Sequence, residues 1–276
     1  MEIPRLLAEH WRHDPDWLDD LPVLVSECAS EWGLELEAPI DSPHSLVVPA
    51  GEVVLKLNAP SHFEADHEAE ALARWGGQGA VRLVARDDDR RAFVCERCRP
   101  GTELAGSGAD DVAVVSELLP RLGQLPVEPH PFRTLASEAE RWADEVPARY
   151  VATGRPFEQA LVDVALDVYR SVDLSAGWLV DQDLHGGNVL RAVREPWLVI
   201  DPKPLVGERE IDGVGLLRNA DSRTSVRRWL DAFGELGVDR ERARGWGVAH
   251  AIAWAWDADT GWSAWSLEAA RRILAA

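Results

Sequence analysis

Trp178-Leu-Val-Asp181-Gln-Asp183-Leu-His185-Gly-Gly-Asn188-Val-Leu190, followed by Pro196-Trp-Leu-Val-Ile-Asp201-Pro-Lys203, is the stretch on which the reading of this 276-residue chain turns. Two apolar runs of strand character flank a polar loop that holds Asp183 and Asn188, and Asp201 ends the second run. Placed on a hairpin, these three side chains converge at one mouth. Two carboxylates and an amide oxygen are hard donors that suit Mg²⁺, an ion that keeps several waters and shares phosphate oxygens. A basic group reaching the same place would complete a site for the phosphates of ATP.

The basic group is sought among the lysines, of which the chain has two, Lys56 and Lys203. An ammonium is a compact point charge and a guanidinium a wide planar fork, so a lysine kept in an arginine-biased chain suggests a role the fork cannot fill. The plain alternative is a solvated accident. Lys56 lies in the second of two β candidates, residues 45–49 and 52–58, joined by a tight turn at Ala50-Gly51. Alternation puts Lys56 on one face with Val54 and sends Val53, Leu55 and Leu57 to the other. Lys56 must therefore snorkel to water or meet an anion.

Before these strands, Asp14-Pro15 opens an amphipathic helix that Gly33 closes. After them, Ser61-His-Phe-Glu64 reads as a capping box for a helix of about fourteen residues carrying Glu64, Glu68 and Glu70 and ended by Gly76-Gly77. Residues 81–86 and 90–95 read as a hairpin. From Arg99-Pro-Gly101 the pattern turns helical, over residues 110–122, 134–150 and 157–172. The expected division is a nucleotide-binding lobe with a leading helix, residues 1–97, and a helical lobe, residues 98–276.

Composition narrows the classes. Lys and Arg number 29 against 48 Asp and Glu, a formal charge of −19, which argues against nucleic acid as a partner. No apolar run approaches the ~18 residues that span a bilayer, and no signal peptide is read at the start, so a cytoplasmic bacterial protein is expected. Three cysteines make no disulfide framework. Cys95-x-x-Cys98 lacks the second pair that structural zinc requires, and ordinary buried thiols are the simpler reading.

The run 183–188 with Ile200-Asp201 resembles the catalytic loop and metal-binding aspartate of the aminoglycoside phosphotransferase family, which is similar to protein kinases. The longer run 188–207 looks like its streptomycin 6-phosphotransferase and hydroxyurea phosphotransferase branch. Ser45-Leu-Val-Val-Pro49, Val54-Leu-Lys-Leu57, Glu68-Ala-Glu-Ala-Leu72 and Gly79-Ala-Val-Arg-Leu83 resemble its N-terminal blocks in order. The resemblance implies an α+β, bilobal, protein-kinase-like fold with a small antiparallel N-lobe and a mainly helical C-lobe. It also implies ATP and Mg²⁺ as cofactors. In its terms Asp183 is the catalytic base, Asn188 and Asp201 hold the metal, and Lys56 meets the α/β-phosphates, positioned by Glu68 rather than Glu70. Ser45 belongs to a loop over the phosphates. The backbone around Glu96 and Cys98 holds the adenine edge.

One departure matters: where the family usually has His before the catalytic aspartate, this chain has Asp181-Gln182. A second carboxylate close to Asp183 would disfavour its ionisation. The implied acceptor is a hydroxyl of a small molecule, cationic as in aminoglycosides, bound in the helical lobe of a monomer or dimer. Candidate acceptor contacts are Asp181, His185, Lys203, Glu208, Asp257 and Asp212, the last resembling a family position that braces the loop; Glu138, Glu140, Asp144 and Asp259 are further carboxylates, and of Trp254 and Trp256 at most one lines a pocket, core packing being the expected use of most late tryptophans. Lys203 either approaches the phosphoryl group or acceptor, or covers the loop surface. Alternatives are a hydroxyurea or other metabolite kinase, or a nucleotide-binding protein with little turnover.

Overall fold

The computed structural model describes residues 1–123 and 129–276, which form two compact units. The first comprises Met1–Thr102 and Leu190–Asp201, the second Glu103–Val189 and Pro202–Ala276. The boundary differs from the expected division at 97/98 because the short excursion 190–201 packs with the N-terminal residues.

In the first unit, α1 (Arg5–His10) and α2 (Pro15–Trp32) precede β1 (Ser45–Ala50) and β2 (Val53–Asn58). Pro15 stands in the first turn of α2 and Gly33 ends it at φ 62°. α3 (Glu68–Trp75) is followed by β3 (Leu83–Asp87) and β4 (Ala92–Glu96). The four strands form one antiparallel sheet in the order β1-β2-β4-β3. Leu46, Val48, Leu55, Leu57, Ala92 and Val94 bury one face of the sheet with Leu21, Val25 and Cys28 of α2. Lys56 points to the other face, as strand alternation requires.

The helix expected from residue 61 is shorter. The Ser61 hydroxyl donates to Asp14 Oδ2 at 3.0 Å instead of capping a helix. A 3₁₀ turn, Phe63–Ala65, and a left-handed His67 at φ 64° then intervene. Glu68 consequently sits in the first turn of α3, where the helix dipole favours a carboxylate.

The second unit contains α4 (Asp111–Leu122), α5 (Leu135–Ala152) and α6 (Gln159–Arg170), then β5 (Trp178–Asp181). β6 (Val189–Arg191) and β7 (Trp197–Val199) follow, then β8 (Pro204–Gly207). The expected single hairpin over 178–201 is replaced by two pairings: β5 with β8, and β6 with β7. Leu190–Asp201 is thereby free to join the first unit. There Val81 N–H donates to the Val199 carbonyl at 3.0 Å, and Arg194 reaches the Gly77 and Ala80 carbonyls and both Glu96 oxygens.

The chain ends with α7 (Val214–Asn219), α8 (Arg223–Glu235), α9 (Arg240–Ala253), a two-residue pair β9 (Trp256–Asp257) and β10 (Gly261–Trp262), and α10 (Ala264–Leu274). α9 is the buried axis of this unit, with Trp246, Val248, Ala249, Ala251 and Ile252 fully covered. Gly215 in α7 packs on the loop after β5, since a Cβ there would stand 2.5 Å from the Leu184 carbonyl oxygen. Among the described residues no helix is long and apolar enough to cross a membrane.

Candidate active site

On the polar face of the first unit's sheet, Lys56 Nζ donates to Glu68 Oε1 at 2.7 Å and Oε2 at 2.8 Å, and to Asp201 Oδ1 at 2.6 Å. Lys56 and Glu68 are buried. An ion pair out of water needs its remaining polar atoms satisfied. Asn58 contributes to this, its Nδ2 donating to Glu68 Oε2 at 3.1 Å, and the Ser45 hydroxyl in turn donates to Asn58 Oδ1 at 2.6 Å. Ser45 is 2% exposed, and its hydroxyl steadies Asn58. Glu70 is turned away, bonded to Arg74 and Arg86. Asp201 has a left-handed backbone at φ 52°, a conformation costly for a non-glycine residue and typical of functional sites.

The segment after β4 was expected to present backbone groups. The Glu96 and Arg97 amides donate to the Arg82 and Glu52 carbonyls, and the Glu96 carboxylate is held by Arg194. Cys95 and Cys98 are unbridged, and burial pushes both thiols up to about 12, so neither is a thiolate at neutral pH. Among the described residues no cluster of three His, Cys, Asp or Glu side chains could hold a metal.

In the second unit the catalytic loop is braced from within. Asp181, 1% exposed, accepts from the Asp183 amide and the Lys203 amide through Oδ1, both at 3.0 Å. The Asp181 amide donates to Asp212 Oδ1 at 3.2 Å. Burial pushes Asp181 up to about 8 and Asp212 up to about 7, so these carboxyls favour their neutral forms. Asp181 is thus a loop brace, not an acceptor contact. His185 is another, its Nδ1 accepting from the Gly187 amide at 3.0 Å. Asn188 donates Nδ2 to the Asp183 carbonyl at 3.2 Å.

Asp183 has a partner that sequence reasoning missed. Arg218 Nη2 donates to its Oδ1 at 2.7 Å. The guanidinium is buried and lies 4.8 Å from the Trp254 ring centroid and 5.9 Å from that of Trp265. The only signal was a basic residue at the end of a short apolar helix, which is too common to single out.

Several acceptor candidates have structural duties. Glu208 accepts from Arg242, from Trp246 Nε1 at 2.8 Å and from the Asp173 amide at 2.7 Å. Asp257 organises its own turn, accepting from the Asp259 and Thr260 amides. Glu138 is buried between Arg133 and Arg141, while Glu140 and Asp144 are exposed. Lys203 is 5% exposed and does not cover the loop surface. Trp256 lies in β9 and packs on Trp262, beyond the end of α9.

Residues 39–261 match the family described as aminoglycoside/hydroxyurea antibiotic resistance kinase. The chain belongs to this family. The kinase is 35% identical to the streptomycin 6-kinase of Streptomyces glaucescens over 288 aligned residues, 95% of this chain and 92% of that one. It is 33% identical to the hydroxyurea phosphotransferase of Kitasatospora aureofaciens, over 86% of this chain and 73% of that one. The crystal structure of choline kinase LicA from Streptococcus pneumoniae superposes with a TM-score of 0.65, covering 93% of this chain and 98% of that one. At 11% identity that likeness speaks to the fold alone, and it places the kinase in the expected α+β, protein-kinase-like class.

Proposed function

We propose that this kinase transfers the γ-phosphate of ATP to a hydroxyl of a small cationic acceptor, with streptomycin the first candidate. The observation that carries the reading is the Lys56 ammonium, held at 2.6–2.8 Å by both Glu68 oxygens and Asp201 Oδ1. Phosphoryl transfer asks little covalent chemistry of the protein and depends on positioning and charge neutralisation. In this reading Lys56 meets the α/β-phosphates and Glu68 keeps it aimed. The backbone around Glu96 and Cys98 is taken, as the resemblance implies, to hold the adenine edge, although the Glu96 and Arg97 amides are committed within the fold.

Asn188 and Asp201 are the residues that would hold magnesium. Both present oxygen, and the Asn188 nitrogen is already bonded to the Asp183 carbonyl, so the donor set fits a hard cation. Magnesium bound with ATP supplies neutralisation at the β- and γ-phosphate oxygens. Asp183 accepts the proton of the acceptor hydroxyl, and Arg218 fixes the orientation of its carboxylate. In this reading Asp181 braces the loop in place of the histidine that the family usually has there.

The 35% identical streptomycin 6-kinase supports streptomycin, and the hydroxyurea phosphotransferase relative makes hydroxyurea the second acceptor to test. Incubation with ATP, magnesium and an acceptor panel, read by mass spectrometry, should show streptomycin gaining one phosphoryl group. Failure of streptomycin, hydroxyurea and every other acceptor to gain that mass, with equal ATP turnover by wild type and Asp183→Asn, would end this reading.

A further inference from the structure

Ser45 is the direct partner of Asn58 across β1 and β2, as Val47 is of Lys56. Residues opposite one another in an antiparallel pair share a face, and so do residues two apart on one strand. Ser45, Lys56 and Asn58 therefore stand together, and α3 brings Glu68 to them. All four are buried. An asparagine side chain presents an oxygen on one side and an NH₂ on the other, and fills the same space either way round. Here the Ser45 hydroxyl donates to Oδ1 at 2.6 Å, which leaves Nδ2 to donate to Glu68 Oε2 at 3.1 Å. Turned over, the amide would set an oxygen against the carboxylate and offer the hydroxyl no acceptor. Ser45 thus decides which way Asn58 faces.

The segment that leads into β1 is bonded at two points to the N-terminal residues. The Leu6 amide in α1 donates to Asp41 Oδ1 at 2.8 Å, and the Trp11 indole Nε1, just past the end of α1, donates to the His44 carbonyl at 3.1 Å. His44 directly precedes Ser45 in the chain. Trp11 is buried, with its ring 5.8 Å from that of Trp17 and 5.7 Å from that of His62, and Leu7 is fully covered in the same core. A helix of six residues has little stability of its own, so docking is what holds α1 in place. A buried indole that grips the peptide before Ser45 fixes the backbone from which the Ser45 hydroxyl reaches Asn58.

We propose that α1 is a strap for the lysine that meets ATP: Trp11, Ser45 and Asn58 are positioning residues that act in series on Glu68 and, through it, on Lys56. The inference rests on the phosphotransferase reading and extends it to groups that touch neither nucleotide nor acceptor.

ATP with magnesium is titrated calorimetrically into wild type and variants, at a temperature where melting curves show each one folded. Asn58→Leu, close in size but without an amide, should bind ATP roughly ten- to a hundredfold more weakly. Ser45→Ala and Trp11→Phe each remove one donor and should lose about three- to tenfold. Ser45→Thr, which returns the hydroxyl on a residue suited to a strand, should recover most of that loss. Trp32→Phe, the same exchange on α2 against the same core, should match wild type. Because the residues act in series, Trp11→Phe/Asn58→Leu should bind ATP no more weakly than Asn58→Leu alone. If Asn58→Leu does not fold, the pair Trp11→Phe and Ser45→Ala is read in the same way. Additive losses, or wild-type affinity in Asn58→Leu and Ser45→Ala, overturn the strap and leave the phosphotransferase reading standing. Absence of saturable ATP binding by the wild type removes both.

Discussion

In the first unit the centre of charge is a lysine bonded to two carboxylates, Glu68 of α3 and Asp201, 145 positions later in the chain; in the second it is a carboxylate, gripped by a single arginine 35 positions on in α7. Lys56 has its contacts on Glu68 and Asp201, and Asn58 and Ser45 complete the set behind Glu68. Asp183 is held at one oxygen by Arg218 and at its backbone by Asp181. The first arrangement is a buried salt bridge that fails badly if one member goes, since the other is left as an uncompensated charge. The second is a partly covered carboxylate, 16% exposed, whose arginine sets orientation more than stability. Each variant below presses on that contrast.

The largest effect is expected at Lys56. Lys56→Ala leaves Glu68, 2% exposed, with Asn58 alone against its carboxylate, and breaking such a pair costs about 3–5 kcal/mol. The measurement is denaturant unfolding beside the rate of phosphate transfer. Both should fall sharply, and Lys56→Arg should recover little of either, because a planar fork cannot occupy the point between three carboxylate oxygens. Full stability in Lys56→Ala would mean that Glu68 is satisfied by other groups and that the two regions do not differ as described.

Arg218→Ala should do the reverse: a modest loss of stability and a clear loss of turnover. Removing a charge-assisted hydrogen bond worth roughly 1.5–3 kcal/mol corresponds to about a ten- to hundredfold fall in kcat if the bond serves the transition state. The split between kcat and KM checks it. Arg218→Lys retains the charge but loses the fork and its stacking on Trp254, so partial rescue is expected. A change confined to acceptor KM would make Arg218 a binding residue and dissolve the contrast with Lys56.

How much of this could be read beforehand follows from what each residue needs. The strand alternation that isolates Lys56 is local, and so is the rule that only one of Glu68 and Glu70 can reach it, because residues two apart on a helix face different ways; the choice of Glu68 is what the resemblance implies. The sheet side of the fold was legible for the same reason. The capping box at residue 61 misled because the Ser61 hydroxyl had a distant alternative in Asp14. The single hairpin over 178–201 misled because apolar strand fragments do not name their partners, and β5 found β8. Arg218 and the duties of Glu208 depend on contacts between residues 34 or more positions apart, which no spacing announces. That the Ser45 hydroxyl steadies Asn58 was not legible, since its burial is a property of packing.

The smallest effect on activity is expected at Asp181, where pH supplies the test. Its carboxyl rises from an ordinary 3.8 to about 8 chiefly through burial, with the charges of Asp183 and Asp212 adding to the rise. Between those values the folded protein binds a proton that the unfolded chain has released. Stability therefore falls as pH rises through this window, and the contribution is full only on its acid side. Asp181→Asn keeps an oxygen to accept the Asp183 and Lys203 amides but has nothing to ionise. Its melting temperature should be close to that of wild type near pH 5 and should exceed it progressively toward pH 8, with transfer rates little changed. Asp181→His, larger and offering a single acceptor nitrogen to two amides, should lower both stability and transfer. If Asp181→Asn instead melts below wild type at pH 8, the carboxylate is ionised and paired in the folded state, and the loop around Asp183 is held by charge just as Lys56 is.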